Sequence, residues 1–282
     1  MTPPTGRHNE SPPTERQDVS RPSDQPAPVV LGRADLQIHT TRSDGTASPE
    51  AIVRYADAHT NLDLIAITDH DDFRGAEEAR NAAARTNARV DVIPGIEVTT
   101  RSGHLLALYL HDPVPSFRSI EATMEAVWKQ DGVVVVPHPL SWLTASYGAR
   151  SIERVRKHAA ASGKVAGIEL ANPTPVAQLR QRRARRLNRD RWQLAETGGS
   201  DAHFLEFIGA AVTRFPGLRP ADLRAALIAG LTVAEERPRV GLREIGLRRL
   251  IAQQGRGLSA TPRATIGRPL RRRLSRVRAR SS

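Results

Sequence analysis

The sequence predicts an α/β fold in which βα units surround a parallel sheet or barrel. From Ala34 onward, short β-rich runs alternate with amphipathic helical stretches, as is typical of such units. The chain has 282 residues, 39% of them hydrophobic. That length suffices for a full core, and α/β barrels of about 200–250 residues commonly form one domain. Metal-ligand residue types also recur at successive strand ends, where βα barrels carry their chemistry.

Eight strands and six helices are predicted in chain order. Ser48 before Pro49 has the N-cap and first-turn chemistry of a helix start, and Pro220 with Asp222 repeats it. The predicted strands are Ala34–Ile38, Leu62–Thr68, Val90–Pro94, His104–Leu110, Gly132–Val136, Val165–Leu170, Gln193–Thr197 and Ile208–Thr213. The predicted helices lie near Pro49–His59, Arg74–Thr86, Ser116–Gln130, Ile152–Ala161, Val176–Arg189 and Pro220–Ala229.

Composition divides the chain into three parts. Residues 1–33 contain seven prolines and few apolar side chains, so we expect a disordered N-terminal tail. Residues 34–236 form the predicted barrel and carry a net charge of −1. Residues 237–282 carry fourteen arginines and one acid, a net charge of +13. We expect this Arg-rich C-terminal extension to be largely disordered.

Several classes of protein are excluded by composition. The absence of cysteine excludes disulfide scaffolds, thiolate zinc sites and cysteine nucleophiles, so any metal must be held by His, Asp, Glu or other oxygen ligands. No apolar run approaches the ~18 residues of a membrane span, and residues 1–28 lack the order of a signal peptide. We expect a soluble, cytoplasmic protein with no membrane contact.

Ligand-type residues follow one strand end after another. Because neutral imidazoles and carboxylates that converge on one barrel mouth are costly to bury, their joint placement indicates a bound cation. A mixture of this kind suits manganese, zinc or iron rather than calcium or magnesium. The ligands suffice for two or three divalent ions, and two-metal sites hydrolyse phosphoesters. These residues are Asp35, Gln37, His39, Asp44, Asp69, His70, Asp71, Glu97, His104, His138, Asp201 and His203.

At these residues the chain resembles the polymerase and histidinol phosphatase (PHP) superfamily. The motifs are D-L-Q-I-H-T from Asp35, S-D-G from Ser43, T-D-H-D from Thr68, G-I-E from Gly95, and H-P and S-D-A-H at His138 and Ser200. They occur in the family's order over residues 34–213. The resemblance implies a distorted (β/α)7 barrel, a trinuclear metal centre, and phosphatase, phosphodiesterase or nuclease activity.

The resemblance also assigns ligands. The first metal site would use Gln37, His39, Glu97 and Asp201; the second, Asp44, His70 and His203; the third, the bridging Glu97 with His104 and His138. Of these residues His39, Asp201 and His203 would act in catalysis, the region of His203 assisting protonation of the leaving group. Asp69 either holds the His70 imidazole or caps the next helix.

Two departures from the family pattern bear on activity. Gln37 replaces the usual histidine, and an amide oxygen is a weaker and harder donor, so the first site should bind metal more weakly or prefer another ion. The short connection from His111 to Asp131 leaves no room for the helical insertion that covers nucleotides in the small-molecule branch.

Planar guanidinium groups bind phosphate, and Arg42 and Arg101 are the candidates closest to the ligands in sequence.

We therefore predict metal-dependent hydrolysis of a phosphoester, with a small-molecule or nucleotide phosphomonoester as substrate and a metal-bridged hydroxide as nucleophile. One alternative is a nuclease or oligonucleotide phosphodiesterase whose Arg-rich tail adds weak nucleic-acid contact through residues 255–282. Another is a noncatalytic metal-binding barrel weakened at Gln37. A histidinol-phosphate phosphatase is a further candidate by kinship. The sequence predicts neither the exact substrate nor the oligomeric state.

Overall fold

The computed structural model describes residues 29–141 and 144–237. A single nine-stranded sheet organises these residues, in the order β7-β6-β5-β4-β3-β2-β1-β8-β9. The strands are β1 Leu31–Ile38, β2 Leu64–Ile67, β3 Asp91–Thr100, β4 Gly103–Leu108, β5 Val133–Val136, β6 Ala166–Ala171, β7 Ala195–Gly198, β8 Ala211–Pro216 and β9 Val233–Glu236.

The sheet is mixed rather than wholly parallel. The β1-β2-β3 and β5-β6-β7 pairs are parallel, as predicted. The prediction of parallel pairing is wrong at β4 and β8, which pair antiparallel with their neighbours. The strand β9 was not predicted, and it pairs antiparallel with β8. Only Arg101 and Ser102 separate β3 from β4. Such a link makes a hairpin, because a parallel crossover needs a dozen residues or more.

The sheet curls into a nearly closed barrel, which confirms the predicted fold class. The edge strand β7 approaches β8, the neighbour of the other edge strand β9. There the Thr213 hydroxyl accepts from the Gly198 amide at 2.8 Å and donates to the Gly198 carbonyl at 3.0 Å. A Cβ on Gly198 would lie 2.4 Å from the Val212 carbonyl oxygen, so this approach requires glycine. The described residues thus form nine strands, against the seven of the family pattern.

Six α-helices connect the strands. The Ser48 hydroxyl caps the first by accepting from the Ala51 amide at 3.2 Å, and Asp222 caps the last by accepting from the Arg219 amide, as predicted for both helix starts. The helices are α1 Pro49–His59, α2 Arg74–Thr86, α3 Ile120–Trp128, α4 Ala149–Ala161, α5 Pro175–Leu187 and α6 Pro220–Ala229, and a π-helical turn, Asn188–Trp192, extends α5.

The barrel interior is apolar and is closed by α6 at the end where β1 begins. Leu36 and Leu64 from the strands share one buried cluster with Leu223 and Leu227 of α6. The Tyr109 hydroxyl donates to the Pro220 carbonyl at 2.9 Å, which fixes the start of the helix below the barrel. This leaves the opposite end, where the parallel strands finish, open to polar residues.

The described chain starts its first strand at Leu31, three residues before the predicted boundary of the barrel. Most of the predicted N-terminal tail and nearly all of the Arg-rich extension lie outside the described residues. The expectation that these segments are disordered stays a prediction. Among the helices of residues 29–141 and 144–237, none is long and apolar enough to cross a membrane.

Candidate metal centre

The predicted ligand residues converge at the open end of the barrel. Two of them have a positive φ within three residues of the end of a strand: His138 follows β5 with φ +31°, and Asp201 follows β7 with φ +53°. Such angles are strained for residues other than glycine and are typical of functional sites. Glu97 lies within β3 rather than after it, because that strand continues to Thr100.

One group of ligands surrounds Asp44, in the loop after β1. The Asp44 carboxylate lies 3.1 Å from His203 Nε2, 3.6 Å from His39 Nδ1 and 3.9 Å from His70 Nε2. The rings of His39 and His203 are stacked, with centroids 4.4 Å apart. Ligand atoms of His39, Asp44, His70 and His203 all lie within 4.8 Å of one another. We call these four residues the Asp44 group.

A second group surrounds Glu97, which is fully buried. Its Oε1 lies 2.7 Å from His104 Nδ1 and 3.0 Å from His138 Nε2, while its Oε2 lies 3.6 Å from His70 Nδ1. His70, Glu97 and His104 form a set with ligand atoms within 4.8 Å, and His138 adjoins it. We call these four residues the Glu97 group. His70 belongs to both groups and joins them.

The residues of the first metal site implied by the family lie beside both groups. His39 Nε2 is 3.2 Å from Asp201 Oδ1 and 3.3 Å from Glu97 Oε2. The Gln37 amide nitrogen donates to Glu97 Oε2 at 3.0 Å. All nine predicted ligand residues are therefore brought together at one mouth.

Buried charge shifts the pKa values of these groups in opposite directions. Burial alone would lower the pKa of His39, but Asp201, Glu97 and Asp44 outweigh it and raise that pKa well above its usual value. At His70 burial prevails and lowers the pKa to about 4. Burial pushes the pKa of Asp201 upward, yet contact with His39 and the nearby imidazoles bring it down to about 2. The carboxylates thus stay charged, and positive charge nearby stabilises them.

Unsatisfied atoms show that the donor set fits a metal. Both ring nitrogens of His39 and Nδ1 of His70 are buried without a well-aligned hydrogen-bond partner. Buried polar atoms are normally paired, so several orphaned imidazole nitrogens beside carboxylates are suited to a cation. Five histidines and three carboxylates form a borderline donor set of the kind that binds zinc, manganese or iron.

The sequence reasoning missed Glu169, at the end of β6. Glu169 is buried, and its Oε2 accepts from the backbone amide of His138 at 2.8 Å and from the Asn172 amide at 2.8 Å. Burial, reinforced by the charge of Asp201, raises its pKa well above the usual value. The carboxyl therefore holds the turned backbone that presents His138. An acid inside the apolar strand Ala166–Ala171 was the available signal.

Asp69 does not hold the His70 ring, and the prediction of that contact is wrong. The buried Asp69 carboxylate accepts from the Thr40 amide and hydroxyl, each at 2.7 Å, and from the Ser43 hydroxyl. It shapes the loop that carries Asp44. No hydrogen bond from Asp69 caps the next helix either: the amide of Arg74, the first residue of α2, donates to Asp72, and Asp69 only packs against Gly75.

The two predicted phosphate-binding arginines lie outside the ligand cluster. Arg42 is partly exposed and forms an ion pair with Glu78 of α2, with Nε 3.0 Å from Glu78 Oε2. Arg101 is exposed in the β3–β4 hairpin, and its Nε donates to the Phe117 carbonyl at 3.1 Å. In the described residues from β4 to β5 the only helix is α3, in agreement with the short connection predicted there.

The comparisons with known proteins agree with this site. The PHP domain matches residues 35–163, and a PHP-associated region matches residues 179–232. An uncharacterized protein from Methanocaldococcus jannaschii is 31% identical over 129 residues, which cover 42% of this chain and 74% of that protein. The 5′-3′ exoribonuclease Rnm of Escherichia coli is 41% identical over 66 residues, 23% of this chain and 22% of the enzyme.

Among solved structures, a two-domain protein from Bacteroides vulgatus is similar to this chain. It is described as containing a predicted PHP-like metal-dependent phosphoesterase. It matches with a TM-score of 0.59 and 20% identity over 81% of this chain and 70% of that one, which supports the fold. The two matched regions together span most of the described barrel and include every ligand of the Asp44 and Glu97 groups. The chain therefore belongs to the PHP domain family.

Proposed function

We propose that the chain hydrolyses terminal phosphomonoesters of small molecules or nucleotides with a centre of manganese, zinc or iron ions. The observation that carries this proposal is the convergence of nine ligand side chains at one mouth of the barrel. Ions in such a centre activate water and stabilise charge on the attacking and leaving oxygens. The residues that would hold them are those of the Asp44 and Glu97 groups, together with Asp201.

Burial within the centre favours a substrate that presents a phosphate at its end. The side chains of His39 and Glu97 are at most 1% exposed, whereas those of His70, His104, Asp201 and His203 are 13–18% exposed. These last four are the most exposed of the ligands, and we call them the exposed edge. A narrow edge of this kind admits a terminal phosphate more readily than a phosphate inside a long polymer.

Three features of the chain would orient the reacting group. Asp69 fixes the loop of Asp44, Glu169 fixes the backbone of His138, and Asp35 accepts from the amides of Ser200 and Gly209 at 2.9 and 2.8 Å. Each buried acid ties a ligand-bearing turn to a neighbouring strand. Rigid placement of ligands is what lets a metal site bind and polarise its substrate.

The test is steady-state hydrolysis by the full chain loaded with manganese, zinc or iron. The substrates are an aryl phosphate, an aryl phosphodiester, nucleoside mono- and bisphosphates, and short 5′-phosphorylated RNA. The expected result is turnover of a monoester that is abolished in His70→Ala, because His70 serves both groups. Metal uptake without turnover on any of these substrates would contradict the proposal and favour a noncatalytic metal-binding barrel.

Exonucleolytic cleavage of short oligonucleotides is a second candidate, favoured by the surface of α5. Arg182, Arg183 and Arg186 are exposed there, and among the described residues no acid lies within ion-pair distance of them. Ala177 and Gln181 of the same helix line a small depression that reaches His138. Guanidinium groups so placed suit a phosphate backbone, and the match to Rnm points the same way.

Salt dependence separates the two candidates. If the arginines of α5 bind RNA, replacing Arg182, Arg183 and Arg186 with Gln should flatten the log–log dependence of kcat/KM on salt by roughly 0.7 per lost phosphate contact. Arg154→Gln with Arg156→Gln, two ion-paired arginines of α4, serves as the matched control. Equal slopes in the three proteins would leave the monoester reaction as the function of this centre.

A further inference from the structure

The position of Gln37 has a direct consequence for the number of ions. We infer that this chain holds two metal ions, in the Asp44 and Glu97 groups, and that the Gln37 side chain closes the third position that its family would fill. The inference rests on the metal centre of the proposed function. It concerns what this chain's own residues do beside the ions, not the reaction.

Gln37 cannot turn away from the centre. The residue is fully buried on β1, and its carbonyl accepts from the Ala202 amide at 3.3 Å. A Cβ on Gly199 would lie 2.9 Å from the Gln37 Cβ, so the neighbouring chain packs directly against the base of the side chain. The amide group is therefore committed to the space between Glu97 and the end of β7.

The side-chain amide of Gln37 uses a lone pair of Glu97 that a third ion would need. Gln37 Nε2 donates to Glu97 Oε2 at 3.0 Å, the oxygen that also faces His39 Nε2 at 3.3 Å. An amide nitrogen has no lone pair to give a metal, and its hydrogens take up the carboxylate oxygen that would bridge to the ion. Gln37 Oε1 is left buried without a hydrogen-bond partner.

Rotating the amide does not restore the missing ligand at low cost. A flip of the Gln37 amide would bring Oε1 against Glu97 Oε2, two acceptors in contact in a buried site, and the hydrogen bond to Glu97 would be lost. Removing that amide donor from a buried carboxylate oxygen is unfavourable. A third ion would have to offset the loss of this hydrogen bond while only His39, Asp201 and the shared Glu97 serve it as strong ligands.

The remaining ligands are sufficient for two ions. The Asp44 group offers four close side chains, and the Glu97 group offers His104 and His138 in addition to the shared His70. Four protein ligands complete a tetrahedral zinc site, and fewer leave an open position for substrate. Asp44, Glu97 and Asp201 carry three negative charges, which two divalent cations nearly balance, whereas three cations would leave a large positive excess.

Metal content tests the inference without substrate. Wild type, Gln37→His and Gln37→Leu are dialysed to equilibrium against manganese, and the ions per chain are counted by mass spectrometry and located by anomalous scattering in crystals. The expected counts are two in wild type, two in Gln37→Leu, whose side chain has similar volume but no amide, and three in Gln37→His.

Three ions in wild type, falling to two in Gln37→Leu, would overturn the inference by showing that the Gln37 oxygen is a ligand. A count of two in Gln37→His would overturn it as well, since residue 37 would then not set the number. If Gln37→His fails to fold, the wild-type and Gln37→Leu counts still decide. Two ions in wild type with no turnover would uphold the inference while the proposed hydrolysis fails.

Discussion

The two ends of the barrel are built on opposite principles. At the closed end, Leu223 and Leu227 of α6 fill an apolar interior with Leu36 and Leu64, and burial itself is stabilising. At the open end, carboxylates and imidazoles are buried side by side on turned backbone, an arrangement that costs free energy until a cation is bound. The difference teaches that one end supplies the stability and the other is free to carry chemistry.

The largest expected effect lies at the open end. Asp44→Asn keeps the shape of the side chain but removes the charge shared by His39, His70 and His203, so the Asp44 group should lose its ion. A catalytic metal contributes several kcal/mol, and each 1.4 kcal/mol is tenfold in rate, so we expect kcat/KM to fall about 10³-fold. Initial rates at saturating manganese measure it.

The matched control for this loss is Asp112→Asn, an exposed acid in the loop after β4 and outside the centre. The far-ultraviolet circular dichroism of both metal-free variants should equal that of wild type, because the apolar end is untouched. An Asp44→Asn protein with unchanged kcat/KM would break the contrast between the two ends.

The next effect lies at the closed end. Leu227→Ala removes a fully buried side chain of the barrel plug, and core truncations of this kind cost about 2–5 kcal/mol of unfolding free energy. Denaturant unfolding measures the loss, while kcat per folded molecule should stay the same. Ile228→Ala, on the next residue but 53% exposed, should change stability by no more than about 0.5 kcal/mol. Equal losses for the two variants would show that α6 does not close the barrel.

A smaller effect is expected at Glu169, which acts through His138 rather than on substrate. Glu169→Ala frees the backbone amide of His138, and the loss of such a supporting contact typically weakens metal binding about 10–100-fold. The dissociation constant for manganese should rise, whereas kcat at saturating metal should change less. Glu196→Ala on β7 is the control, and an unchanged dissociation constant in Glu169→Ala would remove the positioning role.

Local signals in the sequence predicted the scaffold well. The bounds of α1 and α6 match because caps and prolines mark their starts. The direction of β4 could not be obtained from alternation alone, since it depends on the two-residue link before the strand. In the site, the motif residues could be found from the sequence. The ion pair of Arg42 with Glu78 could not, because the two residues are 36 apart and only the folded chain brings them together.

The smallest effect is the pH dependence of stability. Its sign is expected to differ between the metal-free protein and the metal-loaded protein. Burial opposes the charged form of His39, His104 and His203, but adjacent carboxylates raise the pKa of each above its usual value. Groups with a raised folded pKa stabilise fully below the unfolded value of about 6.5, and the contribution is lost as pH rises through the folded pKa. His70, with its pKa lowered to about 4, acts in the opposite direction but is one group against three.

The melting temperature of the metal-free protein should therefore fall as the pH rises from about 6.5. With saturating manganese the melting temperature should instead increase with pH, because protons compete with the ion for imidazole nitrogens and each bound ion releases protons. Thermal melts with manganese or with a chelator, across this range, measure both slopes. A metal-free melting temperature that rose with pH would mean that the buried imidazoles are neutral without the ion. The carboxylates of the open end would then be buried without protonated imidazoles to balance their charge, and metal binding would release no protons.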